Sequence, residues 1–199
     1  MSQSKEEQLF WAAFDGDLKK VTLLCSDPNL NINWQYEGGF TPLFCCLSRR
    51  SCWGCEYLLS LKEIDPDKPA DDGATPFFMA CQEGHREVVS LLLADPRVDP
   101  NKPMDTGGTP FNVACQNGHK VVVSLLLADP RIDPNKPDDQ NGATPFVIAC
   151  ENGHKEVVSL LLADSRIDPN VPLDTGATPF LIACANGHRE MVSLLLADP

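Results

Sequence analysis

The chain has 199 residues, 43% hydrophobic and 22% charged, which excludes intrinsic disorder and suits one or two folded domains. A net charge of −12 argues against nucleic acid or an anionic membrane as partner, since displacing phosphate counterions takes clustered Lys and Arg, and favours a protein partner with a basic or mixed-charge surface. No apolar run can span a bilayer, no signal-peptide core follows the polar first residues, and an odd nine cysteines point to free thiols in a reducing compartment, cytoplasmic or alternatively nuclear.

In chain order, residues 7–40 place Leu9, Trp11, Ala12 and Ala13 at helical spacing, then a turn at Asp15-Gly16-Asp17, then Val21, Leu23 and Leu24 on a second helix. Residues 41–74 repeat this plan from Thr41-Pro42-Leu43 through Tyr57-Leu58-Leu59 to Ile64-Asp65-Pro66-Asp67. From there the copies are nearly identical. Thr-Pro-Phe starts at Thr75, Thr109, Thr144 and Thr178, in steps of 34, 35 and 34 residues. Each is followed by Ala-Cys, Gly-His and Ser-Leu-Leu-Leu-Ala-Asp. The remaining units are 75–108, 109–143, 144–177 and an incomplete 178–199.

One unit reads as two short helices and a loop. Thr75 suits a helix N-cap and Pro76 the first helical position, where its missing N–H costs nothing. Gly84 fits a left-handed C-cap, and Pro96 ends the second helix. A single unit is too small to bury its own apolar face, whereas stacked units bury it against one another. The expectation is one domain over residues 1–199.

This combined pattern closely resembles the ankyrin repeat, over essentially the whole chain. The resemblance implies an all-α solenoid of six stacked helix-turn-helix units, with β-hairpin or loop fingers that form a concave binding face together with the inner helices. It implies a non-catalytic scaffold for a protein partner; the alternative is the regulatory or targeting arm of a larger enzyme. The family's first histidine is missing, with Phe44, Phe78, Asn112, Val147 and Leu181 in its place, so apolar contact between neighbouring inner helices is expected to replace it. Asp-Pro-Arg at 95–97 and 129–131, and Asp-Ser-Arg at 164–166, lengthen each loop by one residue. The copy from Thr109 gains one more within 138–141.

No catalytic residue, cofactor or metal is expected. His85, His119, His154 and His188 occupy one repeat position, which suits a structural bond to a loop carbonyl better than a singular catalytic role. Cys45, Cys46, Cys52 and Cys55 lie close in sequence, but zinc needs four converging ligands, and repeat alignment places Cys46 and Cys55 in the core. Cys81, Cys115, Cys150 and Cys184 recur once per unit as unpaired packing residues. Asn33, Asn101, Asn135 and Asn170 match the finger asparagine that hydroxylases modify in some ankyrin proteins; bonding to the hairpin backbone is the simpler role.

Positions that vary among otherwise similar copies carry the individual information. At the fingertips these are Asp71, Asp72, Met104, Asp105, Thr106, Asp139, Gln140, Asn141, Leu173, Asp174 and Thr175. At the ends of the inner helices they are Gln82, Glu83, Gln116, Asn117, Glu151, Asn152, Ala185 and Asn186. Together they are expected to form an acidic, amide-rich partner-binding face. The sixth unit keeps Phe180, Leu181, Ile182, Val192, Leu194, Leu195 and Leu196 without added charge, so the native chain is expected to continue past Pro199 or to self-associate through this unit.

Overall fold

The computed structural model describes residues 3–47 and 52–197, apart from the side chains of Cys52 and Trp53. Among the described residues the fold is all-helical, with no strand. Contacts divide the chain into two compact units, Met1–Asp99 and Pro100–Pro199.

The first unit holds three helix pairs: α1 (Lys5–Asp15) with α2 (Leu18–Cys25), α3 (Pro42–Cys46) with α4 (Cys52–Ser60), and α5 (Pro76–Glu83) with α6 (Arg86–Leu93). The second holds α7 (Pro110–Gln116) with α8 (Lys120–Ala128), α9 (Pro145–Glu151) with α10 (Lys155–Leu162), and α11 (Pro179–Ala185) with α12 (Arg189–Ala197). Inner helices stack on inner helices within each unit, so Leu9, Leu43 and Phe77 are fully buried in the first and Phe111 and Phe146 nearly so in the second.

The threonines cap as the sequence implies. The Thr75 hydroxyl accepts from the Phe78 amide at 3.1 Å, and Thr41, Thr109, Thr144 and Thr178 do the same three residues on. The first helix differs. It starts at Lys5 with Ser4 as N-cap, and Glu7 closes a capping box from the third helical position. Glu7 therefore supports the cap from inside the helix, although repeat alignment pairs it with the capping threonines.

The fingers are closed turns, the loop form of the two that the resemblance allows, with no strand among the described residues. One bond closes each neck: Tyr36 N–H to Phe40 C=O, Ala70 to Ala74, Met104 to Gly108, and Leu173 to Ala177. In the longer copy Asp138 reaches Ala143, so its extra residue is accommodated inside the turn. Successive fingers nest closely. A side chain added at Gly107 would run into Asp139, and one at Gly142 would meet Asp174 Oδ1 at 2.5 Å. Both glycines have positive φ, so they supply the backbone shape and the clearance together.

The finger asparagines join neighbouring repeats. Asn33 Nδ2 donates to Glu63 O at 2.7 Å and Asn33 Oδ1 accepts from the Asp65 amide at 2.8 Å. Asn101 does the same to Arg131 O and the Asp133 amide. Two of the histidines bond backward: His154 Nε2 lies 2.7 Å from Gln116 O, and His188 Nε2 lies 2.9 Å from Glu151 O. In the second unit apolar contact replaces the missing histidine at Val147 but not elsewhere: Asn112 is buried and its Oδ1 accepts from the Thr109 hydroxyl, and Leu181 is exposed. Val147 is fully buried with Ala143 and Ile148, and Leu173 and Ile182 pack against them.

Cys45, Cys46, Cys55, Cys81, Cys115 and Cys150 are buried free thiols. Burial pushes the Cys45 and Cys150 thiols up to about 12, which disfavours the thiolate that metals and electrophiles require. The Cys52 side chain lies outside the described residues. Cys184 is exposed, contrary to its expected packing role, whereas its counterpart Cys150 is buried.

Candidate protein-binding groove

The variable residues divide between the two units. In the first, Asp71 and Asp72 are exposed at a fingertip, while Gln82 is half-buried and Glu83 exposed at the end of α5. In the second, Asp105, Thr106, Asp139, Gln140, Asn141, Asp174 and Thr175 are exposed on fingers. Gln116, Asn117, Glu151, Asn152, Ala185 and Asn186 are exposed at inner-helix ends. Met104 and Leu173 are half-buried, and Leu173 spends its side chain on the Val147 cluster.

Several of these polar groups are already engaged. Asp72 Oδ1 accepts from the Ala74 amide at 3.0 Å and Asn141 Oδ1 from the Ala143 amide at 3.1 Å. Asn152 Nδ2 donates to Ile148 O at 2.8 Å and Asn186 Nδ2 to Glu151 O at 3.0 Å. Asp72 keeps its charge while it braces its turn, so the exposed carboxylates of this set are Asp71, Asp72, Glu83, Asp105, Asp139, Glu151 and Asp174.

One concavity of the first unit is mostly aromatic. A groove of about 580 Å³ is lined by Phe10, Trp11 and Phe14 of α1, Tyr36, Glu37 and Phe40 of the first finger, Phe44 and Cys45 of α3, and Met79 and Glu83 of α5. Fingers and inner helices thus line one surface, the arrangement that ankyrin resemblance implies. Phe10 stacks on Tyr36 with ring centroids 4.8 Å apart. Trp11 stands edge-on to Phe10 at 5.3 Å, to Phe14 at 5.7 Å and to Tyr36 at 5.6 Å. Phe40 lies 4.8 Å from Phe44. Such contacts hold rings in place at little entropic cost on binding.

The finger is built to present these rings. Gly38 has φ 79°, and a Cβ there would meet the Phe40 ring at 2.7 Å. Gln35 Nε2 donates to Gly39 O at 2.8 Å and to Pro69 O at 2.9 Å, tying this finger to the next. The Asp71 amide donates to Gly38 O at 3.0 Å, which brings the predicted Asp71 beside the finger that carries Glu37.

Of the groove residues, the partner face read from the sequence contains Glu83 alone. A signal for the others was present: seven of the fourteen aromatic residues fall between Phe10 and Phe44. Trp11 aligns with Met79, Val113, Ile148 and Ile182, and Phe14 aligns with Gln82, Gln116, Glu151 and Ala185. Comparing only the near-identical later copies hid this enrichment.

A second apolar surface lies on the last repeat. Phe180 is 41% and Leu181 56% exposed, against 1% and 0% for their counterparts Phe146 and Val147. Ile182 faces the preceding repeat instead, which removes it from the uncovered set. Among the described residues no three His, Cys, Asp or Glu converge as a metal site, and no helix is long and apolar enough to cross a membrane.

The family profile described as ankyrin repeats in three copies matches residues 55–138 and again 132–199. The crystal structure of an ankyrin repeat domain from Acinetobacter baumannii AYE superposes with a TM-score of 0.83, at 24% identity, covering 96% of each chain. No curated protein matches the chain.

Proposed function

The chain belongs to the ankyrin-repeat family, whose repeats generally serve as protein–protein interaction modules, and from this we propose a non-catalytic scaffold that holds a protein partner along its fingers and inner helices. The observation that carries the reading is the open, ring-lined groove of the first unit, with the exposed carboxylates of Glu37 and Glu83 on its lining and Asp71 beside its finger. Preorganised aromatic surface supplies contact area, and unpaired surface charge supplies attraction and orientation toward a basic or mixed-charge partner.

The test is affinity capture with wild type and a D71S/D72S/D105S/D174S variant, with bound proteins identified by mass spectrometry. The variant should lose its main partner, and wild-type capture should weaken as salt rises, because exposed charge is screened within about 10 Å at 0.1 M. Identical recovery from both proteins would refute the acidic-face reading. The exposed Phe180 and Leu181 favour a further contact, self-association of two copies through the last repeat.

A further inference from the structure

We propose that the aromatic groove of the first unit receives a cationic side chain, arginine in preference to lysine, from an extended segment of the partner; this rests on the protein-binding reading above.

The rings supply the first half of the argument. Trp11, Phe14, Tyr36 and Phe40 are half-buried, so each keeps surface open to the groove while ring contacts fix its orientation. Ring faces carry negative electrostatic potential and attract a guanidinium or ammonium placed within about 6 Å. Phe44 and Met79 add apolar surface suited to the aliphatic stem of such a side chain.

Charge supplies the second half. Glu37 enters from the finger and Glu83 from α5, and both are exposed. Among the described residues no lysine or arginine lines the groove, and neither carboxylate belongs to an ion pair. A neutral apolar occupant would strip water from these carboxylates without replacing it, and an acidic one would be repelled. A cation satisfies rings and carboxylates together. Arginine fits better than lysine because its planar group stacks on rings while its edge N–H groups donate to carboxylate.

The probe is a short neutral peptide with one central arginine, compared with matched lysine, citrulline and norleucine forms. Binding is followed by the Trp11 indole N–H signal in NMR. The arginine form should shift that signal and bind about tenfold tighter than its uncharged isostere citrulline, with lysine between them. E37Q/E83Q should lose about tenfold for arginine and nothing for norleucine. E156Q, a charge change on the outer helix α10, should bind as wild type does. Thermal melts matching wild type establish that the double variant is folded; E83Q alone, which leaves the Trp11 reporter in place, serves as the milder second variant and should lose part of the arginine binding.

Equal binding of the arginine and citrulline forms, or no perturbation of Trp11 by any cationic peptide at millimolar concentration, overturns the proposal. If the arginine peptide fails while D71S/D72S/D105S/D174S still abolishes partner capture, the cation groove falls and the scaffold reading stands. If both the peptide and the capture difference fail, both readings fall.

Discussion

At the scale of single residues, the Asp-x-Arg loops are the least expected feature. Each arginine is clamped by the aspartate two positions earlier: Arg97 Nη2 to Asp95 Oδ2 at 2.6 Å, and Arg166 Nη2 to Asp164 Oδ2 at 2.6 Å. So held, Arg97 donates to the carbonyls of Leu59, Leu61 and Ile64, and Arg166 donates to Leu127 O at 2.7 Å. These carbonyls lie at or just beyond the C-terminal ends of outer helices, where intrahelical partners run out and positive charge is favoured. The guanidiniums are about a third exposed, so the gain is modest. R97A should cost about 1–2 kcal/mol in urea unfolding and R166A less, since it gives up one carbonyl bond rather than three. The bond from each arginine holds the Asp95, Asp129 and Asp164 carboxyls below their ordinary range. A depressed folded-state pKa means the stabilisation is present at neutral pH and is lost as pH falls below about 4 toward the folded values. Between about pH 6 and pH 3, wild type should therefore lose more stability than an R97Q/R131Q/R166Q variant. Equal losses would show that the clamp contributes nothing.

At the scale of helices, repeat alignment foresaw the pairs and their caps because Thr-Pro and Gly-His are local signals repeated at a fixed step. It failed where a local rule was overridden by a neighbour. Gly54 in α4 looks like a weak point, since glycine inside a helix costs about 0.5–1 kcal/mol relative to alanine. In the structure a Cβ at Gly54 would meet Cys46 Sγ at 3.0 Å. The other repeats put alanine where Cys46 stands, and three of them put valine where Gly54 stands (Val88, Val122 and Val157), so volume has moved from the outer helix to the inner one. G54A alone should gain little or lose stability, whereas C46A/G54A should be more stable than the two single changes predict, by at least about 0.5 kcal/mol in a double-mutant cycle. Strict additivity would contradict this. The aromatic groove escaped the sequence for a related reason. Its rings come from α1, α3 and the first finger, in the two copies that depart most from the consensus, and the convergence of α1 with a finger some 25 residues downstream is a tertiary fact.

At the scale of the whole molecule, stability in stacked repeats is a sum of unit and neighbour terms, so the degenerate copies should open first. Amide exchange should release residues 7–65 before 109–177; uniform protection along the chain would refute this. At the other end, light scattering should show that F180E/L181E reduces association of the 199-residue chain, and a monomeric wild type would remove the basis for self-association. The contacts that reach back one repeat carry a consequence for how the protein is made. Arg97 bonds a carbonyl 38 residues earlier, His154 one 38 residues earlier and Arg166 one 39 residues earlier. On a ribosome, where about 5–20 residues are added per second, these partners arrive roughly 2–8 s after the helix they complete. Each newly emerged repeat therefore waits with open carbonyls and an uncovered apolar face until its successor is synthesised. A pause in translation one repeat after such a helix would expose that surface to chaperones for longer, whereas the same pause two repeats later would not.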